Sequence, residues 1–329
     1  MAKDTSAPDS DTALAQRGVP AIPRVLIAWS PTNSSDAALN YAAWLARTTP
    51  IHIRVISTLV QPWTTTSLSK LGGKYKKWFK KEAAACAEQV EKALRGAGIA
   101  EENWDEEFSI LVDGSSKAAL LTAAAENFDA DFILIGPGAA APKGRFLAGT
   151  TADTLLHSSP IPLGLSPRAA KLSKHGVTRV NFAFVEEPGK NLELSQLPGL
   201  ESAAAMASRW NVPLRILGFS PSGLLSSPSG SMDVAQALTS HWRETSLALL
   251  DVASDFVLDA FPDLEVETDI GSGNGWAGAV DALKWKKGDI MCLDSAPLSP
   301  FERVFLGSTT TEFLNHLRVP VIIYPAHTR

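Results

Sequence analysis

Cysteine is almost missing from this sequence: Cys86 and Cys292 are the only two among 329 residues. They form no C-x-x-C pair and sit in a helix-like and a strand-like stretch, which argues against a disulfide framework and for reduced thiols. Positive charge is not in excess either. A formal charge of −5 and a pI near 5.7 argue against nucleic acid as a partner, because phosphate backbones select basic surfaces. No run approaches the roughly 18 apolar residues of a membrane span, and the opening MAKDTSAPDSDTALAQRG lacks the apolar core of a signal peptide. The expectation is a cytoplasmic protein with neither a membrane nor a nucleic-acid partner. Catalytic signatures are missing as well: there is no G-x-S-x-G, no H-E-x-x-H and no G-x-x-x-x-G-K-S/T. The six histidines (52, 157, 175, 241, 316 and 327) show no ligand spacing, so neither an enzyme nor a metal site is expected.

What is present is an ordinary globular composition, 45% hydrophobic and 20% charged, in a chain long enough for two cores. The chain repeats itself. Asp131 and Asp289, Gly149 and Gly307, and Pro162 and Pro320 are each 158 residues apart. With no gap, DADFILIG lies over KGDIMCLD, and AGTTADTLLHSSPIPLGL over LGSTTTEFLNHLRVPVII. The earlier portions match with small insertions: Arg24–Ala28 pairs with Arg179–Ala183, and Ile53–Ile56 with Leu214–Leu217. Residues 1–22 read as a polar, disordered segment, 23–167 as the first unit, 168–177 as a linker and 178–327 as the second unit.

Each unit alternates strand and helix. In the first, VLIAW (25–29) is a short apolar run, and SDAALNYAAWLART (35–48) sets Ala38, Leu39, Ala42, Ala43 and Leu45 on a helical stripe. HIRVIST (52–58) is the next strand. A long helix follows over KYKKWFKKEAAACAEQVEKALRGAG, with Tyr75, Phe79, Cys86, Val90 and Leu94 at spacings of four and seven. The cations and aromatics of KYKKWFKK (74–81) fit a solvated helix face with snorkelling lysines better than a membrane or nucleic-acid contact. Continuously apolar strands separated by helices imply a parallel sheet covered on both faces. Five strands in this order fit a doubly wound α/β sheet of order 3-2-1-4-5, whose ligand crevice lies at the strand C-terminal ends between the first and fourth strands. The serine-, glycine- and proline-rich segment 220–233 and its counterpart QPWTTTSLSKLGG read as loops at the crevice mouth.

After the fourth strand the first unit reads GPGAAAPKGRFLAGTT (136–151), and the second reads DSAPLSPFERVFLGST (294–309). In this loop and in the order of elements, the chain from Arg24 to Tyr324 resembles the universal stress protein family, as a tandem pair of its adenine nucleotide alpha hydrolase-like domains. The resemblance implies a loop G-x-x-G-x9-G-S/T that wraps ATP phosphates, and an acidic residue at the end of the first strand that holds the adenosine. The first unit departs from it: Gly136, Ala139, Gly149 and Thr150 occupy the loop positions, Gly138 lies one place off register, and Ser30 stands where the acid belongs. The second unit has Asp294, Pro297, Gly307 and Ser308 in the loop and Val185, followed by Glu186 and Glu187, in place of the acid.

A phosphate loop needs backbone N–H groups aimed at the ligand and little side-chain bulk. In the first unit Gly136, Gly138, Ala139, Gly144 and Gly149 leave the backbone open, Lys143 and Arg145 add two cations, and Thr150 and Thr151 supply hydroxyls at a helix start. In the second, Asp294 puts a carboxylate at the first glycine position; about 4 Å from a phosphate it costs on the order of 4 kcal/mol at an effective dielectric of 20. ATP binding is therefore not expected in the second unit. For the first, two readings stand. One is a non-enzymatic stress-response or regulatory protein with at most one altered ATP crevice; the other is an ATP-binding module with slow hydrolysis. Trp29, at the end of the first strand, either fills the adenine pocket or stacks on a base. The last strands, IPLGLS (161–166) and VPVIIY (319–324), are expected to pair the units as an intramolecular pseudo-dimer, with a homodimer of whole chains left open.

Overall fold

The computed structural model describes residues 22–33, 35–60, 72–185, 194–222, 232–295 and 308–325. Most of the segments 1–22, 61–73 and 220–233, together with Glu186, Glu187, Pro297 and Gly307, lie outside the described residues.

The first lobe runs β1 (Arg24–Ala28), α1 (Ala37–Ala46), β2 (His52–Val60), α2 (Gly72–Ala97), β3 (Trp104–Gly114), α3 (Lys117–Asn127), β4 (Phe132–Ile135), α4 (Thr150–Leu156) and β5 (Leu163–Leu165). The second repeats it: β6 (Arg179–Phe184), α5 (Pro198–Trp210), β7 (Leu214–Ser222), α6 (Met232–Ala260), β8 (Val266–Asn274), α7 (Gly275–Asp281), β9 (Asp289–Asp294), α8 (Ser308–Leu314) and β10 (Val321–Tyr324). The duplicated residues occupy duplicated places. Val25 pairs Ile53 and Phe132 in one lobe, as Val180 pairs Leu214 and Ile290 in the other.

Both lobes have the doubly wound order 3-2-1-4-5, but the two sheets are one. The strand order is β3-β2-β1-β4-β5-β10-β9-β6-β7-β8. Pairing is parallel inside each lobe and antiparallel at the seam, where Leu163, Gly164 and Leu165 face Ile323, Ile322 and Val321. Joining the last strands satisfies two rows of backbone N–H and C=O groups that would otherwise be open edges. It also turns the second lobe's strands end for end. The strand C-terminal ends of the first lobe thus share one sheet edge with the strand N-terminal ends of the second, and the two crevices face opposite ways.

Because side chains alternate across a strand, the continuous sheet divides its apolar residues into two shared layers. Val25, Ile27, Val180, Phe182, Cys292 and Ile322 lie on one face, while Leu26, Ile133, Leu165, Leu293, Val321 and Ile323 lie on the other. Helix α1 shows the consequence. The sequence places a stripe on it, yet Tyr41 and Trp44 are also fully buried, leaving only Asn40 exposed. A helix apolar all round belongs in an interior. Its Tyr41 hydroxyl reaches the seam and donates to the Val321 carbonyl at 3.4 Å. Gly164 makes room, since a Cβ there would lie 2.2 Å from Leu134 Cδ2 and 3.3 Å from Tyr41 Cε1. In α2 the lysines of KYKKWFKK and Trp78 are exposed, and the buried stripe is Cys86, Val90 and Leu94.

Candidate functional site

The first lobe opens a crevice at the C-terminal ends of β1 and β4, where the strand order reverses. It offers about 160 Å³, on the order of ten waters' worth of space. Ser30, Asn33, Thr58, Lys117, Gly136 and Thr151 line it, over a floor that includes Ile56 and Ile135.

The end of β1 is tied down from beneath. The Trp29 indole is 8% exposed and packs into the layer with Leu45 and Cys86, and its Nε1–H donates to Asp36 Oδ1 at 2.9 Å. Its carbonyl accepts from Ser57 Oγ at 2.8 Å, and Ser57 in turn accepts from the Cys86 thiol at 3.2 Å. Trp29 is therefore a wall of the lobe, with its polar edge spent on Asp36. The Ser30 hydroxyl is engaged within its own turn, 2.9 Å from Thr32 Oγ1 and 3.2 Å from Asn33 Oδ1.

The loop after β4 is a small folded unit. Phe146 and Ala141 are buried and anchor it. Four of its N–H groups find acceptors inside the loop or just beyond it: Gly138 donates to Leu147 (2.8 Å), Ala141 to Gly138 (3.0 Å), Gly144 to Arg168 (2.6 Å) and Arg145 to Pro142 (3.1 Å). Arg168 closes the arrangement, its guanidinium donating to the Ala139 and Ala141 carbonyls at 2.9 and 3.0 Å. Gly144 takes the left-handed φ of +76° that the turn requires. Gly138 and Gly149 lie back to back, a Cβ on Gly149 meeting Gly138 Cα at 3.3 Å.

Of the residues singled out in the sequence, the structure brings Trp29, Ser30, Gly136 and Thr151 to the crevice. Gly138 and Gly149 stack on each other, Ala139 is exposed with its carbonyl held by Arg168, and Thr150 is exposed with its carbonyl accepting from Thr154. Lys143 lines a different cavity, and Arg145 reaches across the seam to donate to the His316 carbonyl of the second lobe. Lys117, Thr58 and Asn33 were not legible as site residues. The one local signal was the turn Gly114-Ser115-Ser116 after β3, where Ser116 caps α3 by accepting from Ala119 N at 3.4 Å and so sets Lys117 at the rim.

In the second lobe Asp294 ends β9, and its carboxylate accepts from the Gly199 N–H at 2.6 Å at the start of α5. Only glycine fits opposite, since a Cβ on Gly199 would lie 2.8 Å from Asp294 Oδ1. The second carboxylate oxygen is buried without a partner among the described residues, and burial pushes the carboxyl up to about 7 despite the amides of Gly199 and Leu200. The chain thus fills this helix start with its own carboxyl, whose charged form the amides favour and burial opposes. Ser308 opens α8. Among the described residues no three His, Cys, Asp or Glu side chains form a metal-binding group, and no described helix is long and apolar enough to cross a membrane.

Duplicated doubly wound lobes with crevices at the strand C-terminal ends define the class, and sequence comparison makes it specific. The model of the universal stress protein family matches residues 22–165 and again 191–325, so this chain belongs to that family as a tandem member. Universal stress proteins of Mycobacterium tuberculosis and Mycobacterium bovis are 26% identical over 302 residues, covering 92% of this chain and 99% of theirs. A crystal structure of a universal stress protein from Archaeoglobus fulgidus superposes with a TM-score of 0.55 at 16% identity, covering 92% of this chain and 98% of that one. A protein of unknown function from Pseudomonas aeruginosa superposes at 0.52 with 14% identity, over 95% and 94% of the two chains. These two likenesses are of fold.

Proposed function

We propose that this chain is a non-enzymatic regulatory member of its family, acting in stress response, whose first-lobe crevice no longer wraps ATP phosphates. The observation that supports this is the commitment of the loop's polar groups: the N–H groups of Gly138, Ala141, Gly144 and Arg145 have carbonyl partners, and Lys143 and Arg145 are turned to the seam. A phosphate entering the crevice meets Lys117 and Thr151 but not the cations of the loop. In the second lobe Asp294 puts a carboxyl at the end of β9, bonded to the Gly199 N–H at the start of α5. A cytoplasmic setting belongs to the same reading, supported by two buried cysteines that are both free thiols.

The competing reading, an ATP module with slow hydrolysis in the first lobe, is favoured by one observation: Lys117, Gly136 and Thr151 do converge. Gly136→Val separates the two. A Cβ at Gly136 meets nothing within 4 Å, so the substitution leaves the fold intact while projecting into the crevice. Calorimetry with ATP is expected to give the same isotherm for wild type and variant, with no phosphate release above the blank. ATP binding or hydrolysis that Gly136→Val removes contradicts the proposal.

A further inference from the structure

A larger cavity lies at the seam, on the sheet edge shared by the end of the first lobe's strands and the start of the second's. It offers about 620 Å³. Four stretches remote in sequence converge on it: the loop after β4, the linker, the turn before β9 and the turn before β10. They bring Lys143, Lys171, Lys286, Lys287 and Arg318 to its walls, and Asp281 is the one acidic side chain among the lining residues. That acid is already engaged, 3.0 and 3.1 Å from Arg318 through its two carboxylate oxygens. The four lysines are exposed, and none has an ion pair among the described residues. In a chain of net charge −5 such an excess of cations in one concavity is a local departure from the average surface. Neighbouring Arg145 has its guanidinium held below the usual arginine range, first by burial and then by Arg318, with Asp281 opposing.

The backbone carrying these cations is fixed. The Lys286 N–H donates to the buried Asp289 carboxylate at 2.7 Å, and that carboxylate is itself held by a bidentate pair with buried Arg179. The Lys287 carbonyl accepts from Ser173 of the linker at 2.9 Å, and the Gly144 N–H is bound to the Arg168 carbonyl. The stems of Lys143, Lys286 and Lys287 therefore leave preset points on the rim, which lowers the cost of closing on a ligand.

We propose that the seam cavity is a binding site for a small polyphosphate anion. Four ammonium groups around one cavity, unpaired among the described residues, exceed what a single phosphate neutralises, and a chain of two or three phosphates spans them. A long nucleic acid is disfavoured by the chain's net charge of −5. The site exists only because two units are fused, since linker, loop and second-lobe turns all contribute to it. Free oligophosphate and the phosphate tail of a nucleotide share this chemistry, and comparing the two as ligands tells which is preferred.

The test is a titration of the full chain with inorganic tripolyphosphate. Saturable one-to-one binding is expected, weakening by about tenfold or more as salt rises from roughly 50 to roughly 300 mM. The double variant Lys286→Gln, Lys287→Gln should weaken it about tenfold, and Lys143→Gln on the opposite lobe several-fold, in keeping with the loss of charge-assisted contacts. Gly136→Val should leave it unchanged. All three lysines are exposed, so a melting curve like that of the wild type verifies that the variants fold. Absence of saturable binding at about millimolar ligand, binding indifferent to the lysine variants, or binding lost in Gly136→Val would each overturn the site.

Discussion

Asp294 changes meaning between sequence and structure. Read from the alignment of the two units, it is a fixed negative charge where a phosphate would sit. In the fold it bonds to Gly199, 95 residues away, and titrates near neutrality. A carboxyl raised from 3.8 to about 7 binds a proton in the folded state that the unfolded chain has lost between those values. Stability from this group is therefore complete below about pH 4 and falls as pH rises through 7, by at most on the order of 4 kcal/mol. Asp294→Asn keeps an oxygen for the Gly199 N–H and removes the titration. Denaturant unfolding at pH 5 and pH 8 should show the wild type losing stability relative to the variant as pH rises. A difference between the two that is the same at both pH values contradicts the burial of this carboxyl. In lobe one Asp36, beside the start of α1, accepts from the Trp29 indole and makes no side-chain cap of that helix.

At the scale of elements, most of the fold was legible. The 158-residue offset, the alternation of apolar runs with helical stripes and the order 3-2-1-4-5 all appear in the structure as they appear in the sequence. The full burial of α1 was not, because an amphipathic stripe reports one interface, and the second arises only when β10 lies beside β5. The loop after β4 was legible in composition but not in direction. Its glycines and cations describe a phosphate cradle until Arg168 and His316, on the linker and the other lobe, take up its polar groups. Gly164 marks where this packing is tightest. Gly164→Val forces Leu134 and Tyr41 apart and should cost about 1–3 kcal/mol or more, seen as a lower denaturation midpoint. A midpoint equal to that of the wild type would show that α1 does not lie against the seam.

The whole molecule is better described as one sheet than as two domains in tandem. Antiparallel joining of β5 to β10 removes two edges and runs each apolar layer through both lobes. It also decides where function lies, by bringing the loop of one lobe against the strand starts of the other, so that polar groups available to a crevice in an isolated unit are drawn to the seam. Amide hydrogen exchange over the full chain with saturating ATP reads this most directly. Unchanged exchange is expected at residues 28–33, 136–138 and 150–152, which surround the crevice, whatever happens at the seam; slowing confined to those amides would mean that the crevice still holds the nucleotide.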